Sequence, residues 1–171
     1  ILAYSSLVAA NFDVVLTMPK SVFIERLTRL WARLVGRFAS EEVLISLLVT
    51  KCFPCLLYGV EACPLLARNK SSFDFLLTRT FMKLFRTGSP VVVKQCQLQF
   101  NVLPLHFQLD IRTAKFLEDF VSSTNSICAL FKHRATLQLH NLCAVYGDHI
   151  KSSRDIFIKS NELFAKSVLL A

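Results

Sequence analysis

NKSSFDFLLTRTFMKLFRTGSP, residues 69–90, decides how this chain is read. Its apolar residues recur at three- and four-residue spacing, which predicts a helix from just after Asn69 to about Arg86, with Ser71 or Ser72 as the cap. Gly88, Ser89 and Pro90 then form the strongest break in the sequence. Phe73, Phe75, Phe81 and Phe85 are expected in the core of this helix, since aromatic residues at helical spacing are usually buried.

The same logic extends in both directions. Upstream, Phe23, Leu27, Leu30, Trp31, Leu34 and Phe38 mark one apolar face of a helix over residues 21–38, with Pro19 just ahead of it. Ser40 followed by Glu41 and Glu42 reads as a cap with acids in the first turn, opening a second helix that stops near Tyr58 and Gly59. Downstream, helices are expected over residues 91–100 and 105–121 around Pro104, then over 127–146 and 153–170, with a polar linker at 122–126 between the two pairs. Residues 1–18 fit either a strand or a further helix. With four glycines and five prolines the chain offers few turns, so the expected fold is all-α, an irregular bundle of about five to seven helices. No internal repeat or low-complexity tract interrupts it. The expected organisation is a first segment at 1–19, a compact helical module over 20–121 and a looser helical extension over 122–171.

At 171 residues the chain suits one domain burying roughly 70% of its unfolded surface. Its 53% apolar content and mean hydropathy of +0.47 are high, and its 19% charged content is below the usual roughly 25%. Such a chain either crosses a membrane or carries apolar surface that packs against a neighbour. A spanning helix needs about 20 consecutive apolar residues, whereas the apolar run at 43–50 ends at Lys51 and the next reaches only Glu61 with Pro54 and Gly59 inside it. No membrane span is expected. The apolar start lacks a basic leader and is interrupted by Asn11 and Asp13, which reads as a truncated start and not as a signal peptide. The six cysteines are too few for a disulfide scaffold; reduced, buried thiols and an intracellular setting, nuclear or cytoplasmic, are the expectation.

A net charge of +8 points to an anionic partner such as nucleic acid. The charge is concentrated before Lys94. Arg26, Arg29, Arg33 and Arg37 fall within an arc of about 80° on one side of the expected first helix, beside its apolar face, where planar guanidinium forks could meet phosphate oxygens. Glu25 is the one nearby acid. Arg79, Lys83 and Arg86 form a second row near the end of the helix at 69–86. Both rows have a plainer reading: a solvated face for the first, and cations meeting the carbonyl end of a helix dipole for the second.

No catalytic constellation stands out. Gly-rich phosphate loops, G-x-S-x-G and H-E-x-x-H are missing, as is a pair of aspartates able to hold two metal ions. The adjacent acids Glu41 with Glu42 and Glu118 with Asp119 lie on expected helices, where neighbours point about 100° apart. Cys52, Cys55 and Cys63 raise the question of zinc, but no second ligand pair follows and Pro54, Leu56 and Leu57 suggest a buried helix. His133, His140 and Cys143 share a helical face without a carboxylate beside them, so no metal site and no cofactor is expected.

The middle of the chain is more specific. Ser40-Glu41-Glu42-Val43 and Thr50-Lys51-Cys52-Phe53-Pro54-Cys55-Leu56-Leu57-Tyr58-Gly59-Val60-Glu61-Ala62-Cys63-Pro64-Leu65 resemble the region after the polymerase core in LINE-type, non-long-terminal-repeat retrotransposon reverse transcriptases. Ser72-Phe73-Asp74-Phe75, Arg79-Thr80-Phe81-Met82-Lys83-Leu84-Phe85-Arg86-Thr87 and Ile111-Arg112-Thr113-Ala114-Lys115-Phe116-Leu117 continue it with the spacing intact. The resemblance covers residues 20–121, and it implies a thumb-like helical region that packs beside the palm and holds template and primer. It carries over no catalytic residue, because the family's Tyr-x-Asp-Asp hairpin precedes the matched region. The implied partners are RNA or DNA, met through backbone phosphates, and the missing palm and fingers core. The expectation is therefore a non-catalytic fragment of an RNA-directed DNA polymerase. The alternatives are a helical protein-interaction module, a decayed element product with no selected function, and a basic amphipathic helix at 21–38 resting on a membrane surface.

Overall fold

The computed structural model describes residues 21, 23–25, 28–29, 40–62 and 65–170. Among them every regular element is helical: α1 (Glu41–Leu47), α2 (Phe53–Leu56), α3 (Ala67–Leu84), α4 (Pro90–Gln99), α5 (Leu105–Ser122), α6 (Ser126–Tyr146) and α7 (Ser153–Leu169). The all-α expectation and its count of five to seven helices therefore hold for the described residues. The question of strand or helix at residues 1–18 lies outside them. The chain divides into two compact units, Ile1–Val60 and Glu61–Ala171.

In the first unit Ser21, Phe23, Ile24, Glu25, Thr28 and Arg29 are helical. Ser40 takes the extended N-cap position of α1, as its sequence context predicts, with Glu41 and Glu42 in the first turn, but its hydroxyl makes no cap hydrogen bond. A π-helical turn, Leu48–Cys52, joins α1 to α2. Pro54 explains that turn. A proline two residues into a helix has no N–H for the carbonyl four residues back and its ring crowds that carbonyl. Widening by one residue lets the Phe53 N–H donate to Leu48 O, five positions back. Leu44, Ile45, Leu48, Cys52, Phe53 and Leu56 form the buried stripe of this segment, and the Phe23 and Phe53 rings meet with centroids 6.4 Å apart. Gly59, at φ +70°, closes it.

In the second unit α5 is the hub, packing against α3, α6 and α7, while α4 packs against α3 and α7. Ala114 of α5, with no exposed surface, lets Cys143, Tyr146, Ile150 and Ile156 close around it. A second cluster joins Leu103 to Phe164 and Val168, and Phe107 and Ile111 bridge the two. The domain boundary expected near Ser122 falls inside this unit, in the short connection from α5 to α6, where the Asn125 side chain caps α6 by accepting from Ile127 N. Helix α3 starts earlier than expected: Leu66 is its N-cap and Ala67 its first residue. Neither Ser71 nor Ser72 caps it; both lie within its first two turns, and Ser71 Oγ donates back to Ala67 O.

Two helix starts are held by carboxylates from other helices. Asp74 of α3 accepts from His106 N (3.1 Å) and pairs with its Nδ1 (2.6 Å), supplying α5 with the side-chain cap that Pro104 lacks. Glu118 of α5 accepts from the Ser153 amide and hydroxyl at the start of α7. There Ser152 and Asp155 also form a reciprocal capping box. The Ser152 hydroxyl and the Lys151 amide hold the Asp155 carboxyl below its ordinary 3.8. A lowered native pKa means the stabilisation is complete above the ordinary value and is lost as pH falls through the native one. Protection factors for amide exchange at residues 153–157, followed from about pH 5 to about pH 2, should fall before those of the α7 interior; equal protection throughout would contradict the box.

Candidate nucleic-acid interface

Helix α3 has two faces of different chemistry. Asn69, Phe73, Leu77, Thr80, Phe81 and Leu84 are buried. On the opposite side Arg68, Ser72, Phe75, Arg79 and Lys83 are exposed or nearly so, and at about 100° per residue they share an arc of about 80°. The stripe runs about 22 Å along the axis at about 1.5 Å per residue. Phe75 corrects the expectation that all four aromatics of this segment are core: Phe73 and Phe81 are fully buried, Phe85 is partly so and stacks between Phe81 and Phe100, but Phe75 is 64% exposed. The Arg79 guanidinium lies over its ring, 5.6 Å from the centroid, a cation–π arrangement that holds both side chains.

Electrostatically the face is one-signed. No described carboxylate lies within ion-pair distance of Arg79, Lys83 or Arg86, while four acids of this unit are occupied elsewhere. Asp74, the single acid of α3, is turned to His106; Asp110 is held by Lys70 and by the Tyr146 hydroxyl (2.7 Å); Glu61 faces Arg112 at 3.6 Å; Glu162 pairs with Lys159. Burial first, and the bond to Asp110 second, push the Tyr146 hydroxyl far above its ordinary range, so it stays a donor. The positive field around Arg79 and Lys83 thus meets no described counter-ion at ion-pair distance.

Arg86 ends the row in an unusual conformation. Its φ is +51°, the left-handed position where helices commonly place glycine, and Thr87 N donates to Met82 O to close the Schellman turn. The glycine that breaks the sequence, Gly88, lies two residues further on. A left-handed non-glycine residue costs about 1 kcal/mol. Arg86→Gly should therefore raise stability by about 0.5–1 kcal/mol while weakening phosphate binding; urea unfolding paired with a binding isotherm checks both signs, and a variant that gains or loses both together would contradict this assignment.

Of the other expected positions, Arg29 is exposed and paired with Glu25 across one helical turn, which offsets part of its charge. Arg26, Arg33 and Arg37 lie outside the described residues, as does Cys63. Cys52 is buried, and Cys55 donates to Lys51 O. His133 and His140 are exposed while Cys143 is buried. No group of three or more His, Cys, Asp or Glu among the described residues could hold a metal ion, and no helix among them is long and apolar enough to cross a membrane.

A cavity of about 480 Å³ opens between α5 and α6, walled by Phe116, Leu117, Phe120, Phe131 and Leu142 with Lys70 and Asp110 beside them. Glu61 and Thr113 add to its polar lining, and none of its lining residues is Ser, Cys or His. The chain matches no known protein-family model, no curated protein and no solved structure.

Proposed function

We propose that the chain binds nucleic acid without sequence preference, through backbone phosphates, as a non-catalytic helical piece similar to the post-catalytic, thumb-like region of LINE-type reverse transcriptases. The observation that carries the reading is the exposed stripe of α3, where Arg79 and Lys83 stand on one face and Arg86 follows at its end, with no described carboxylate to neutralise them. Contacts from these cations to phosphate oxygens position a strand and carry no sequence information, so the recognition is of charge and strand shape. Arginine and lysine are the phosphate-contacting residue types, and each neutralised phosphate releases counterions. RNA or DNA is the partner, and the palm and fingers core of such a polymerase is the protein against which apolar surface packs.

Filter binding to an RNA–DNA hybrid over a salt series tests it. Three phosphate contacts give a log–log slope of about −2.7, or about 40-fold weaker binding from roughly 50 to 200 mM salt. Salt-independent binding, or primer extension by the purified chain, would overturn the proposal.

A second reading is favoured by a different observation. Helix α6 leaves Ile127, Leu130, Phe131, Leu137 and Val145 exposed, and Leu169 and Leu170 are exposed at the end of α7. A protein-interaction module would use such a surface. Size-exclusion chromatography with a short labelled oligonucleotide at low salt separates the two, since the phosphate-binding reading requires the oligonucleotide to co-elute with the chain whatever its association state, while a protein-interaction module leaves it free.

A further inference from the structure

Phe75 is out of place for a residue whose role is packing. Its neighbour two positions back, Phe73, is completely buried, whereas Phe75 sits 64% exposed among cations. A large aromatic side chain in water gives up transfer free energy that a polar residue at the same place would not forfeit. Arg79 covers one side of the ring at 5.6 Å, which restrains the ring and leaves the rest of it open. Arg79 and Lys83 follow Phe75 by one and two helical turns, at about 6 and about 12 Å along the axis.

Building on the phosphate reading above, we propose that Phe75 and Arg79 form a stacking platform for an unpaired base, so that α3 takes single-stranded nucleic acid in preference to a closed duplex. The ring's open side stacks on a base, and the strand's phosphates run past Arg79 and Lys83. Every base has a π-face, so this contact adds affinity without adding sequence preference. In a blunt duplex the faces are already stacked on one another, and the ring meets only groove edges. The platform contacts neither a sugar hydroxyl nor a base edge, and single-stranded RNA and DNA therefore bind alike.

The experiment measures the full chain by fluorescence anisotropy against labelled single-stranded RNA, single-stranded DNA and a blunt duplex of equal length. Wild type should prefer either single strand over the duplex. Phe75→Ala should weaken single-strand binding about 5- to 100-fold and duplex binding less than about twofold, with an unchanged circular dichroism spectrum because the ring is exposed. Phe75→Trp should keep the preference, and its emission in excess of that from Trp31, the single native tryptophan, should be quenched by the single strands. Equal binding of single strand and duplex, or an unquenched Phe75→Trp, overturns the platform. If all three nucleic acids bind with the expected salt slope but show no strand preference, the platform alone fails. If wild type binds none of them, the phosphate reading fails and the platform with it.

Discussion

Arg79→Glu, Lys83→Glu and Arg86→Glu combined should lower affinity for an RNA–DNA hybrid at low salt by at least about 100-fold and flatten the salt slope by about 2.7, about 0.9 per phosphate contact. The size follows from sign as well as number. Each change removes an attraction and adds a repulsion on a helix face that has no acid of its own facing outward, since Asp74 is engaged by His106. The fold should survive. All three side chains are exposed, and the unfavourable placement of glutamates near a helix C-terminus is worth only about 0.3–1 kcal/mol each. The corresponding changes at Lys132, Lys151 and Lys166, exposed cations on α6, before α7 and on α7, serve as the control of equal net charge. They should leave the slope within about one unit of wild type. A control that abolishes binding as thoroughly would mean that net charge, and not the α3 face, holds the nucleic acid.

Asp110→Ala should be the most destabilising single polar change. Asp110 is buried on α5, takes a bond from Lys70 of α3 and another from Tyr146 at the end of α6, and so ties three helices at one carboxylate. Removing it strands a buried phenol hydroxyl and leaves a largely covered lysine without its counter-ion. Breaking a buried ion pair costs about 3–5 kcal/mol; because Lys70 keeps 30% of its side-chain surface, screening reduces this to about 2–4 kcal/mol. Chemical denaturation should show that loss. The double change Lys70→Met with Asp110→Leu should recover part of it, because two apolar residues leave no orphaned charge. Tyr146→Phe should cost about 1 kcal/mol. A drop of under about 1 kcal/mol for Asp110→Ala would show the carboxylate to be solvated and the three-helix tie unimportant.

The helices after residue 66 are legible in the sequence because their breaks are chemically strong. Pro90 and Pro104 sit at or just before a first turn, Asn125 is a cap that works as such, and Gly147 at φ +140° stops α6 where a Cβ would press on His149. What the sequence hides depends on distance along the chain. Asp74 and Glu118 accept from helix-start amides 32 and 35 residues later, and no local pattern distinguishes such a carboxylate from a solvated one. The π-turn before Pro54 is hidden for a related reason: a proline inside an apolar run predicts a break or a kink, whereas here the chain keeps winding with one extra residue per turn.

The basic row at Arg79, Lys83 and Arg86 can be read from spacing alone, but its aromatic member cannot be seen if phenylalanines are simply counted as core. The signal was nonetheless present. Phe73 and Phe75 are two residues apart, and on a helix such neighbours point about 200° apart, so one of the pair had to face away from the core. Arg86 is the converse case: its residue type suggested a dipole partner, and only the backbone reveals that a cation occupies the left-handed position usual for glycine.

Backbone amide shifts of the full chain, recorded during titration with a short single-stranded oligonucleotide at low and then high salt, test most directly whether α3 is the phosphate-facing surface. The largest changes should map to Arg68, Ser72, Phe75, Arg79, Lys83 and Arg86 and collapse on adding salt. Changes centred on Ile127, Leu130, Leu137 and Val145 of α6, with α3 silent, would contradict this.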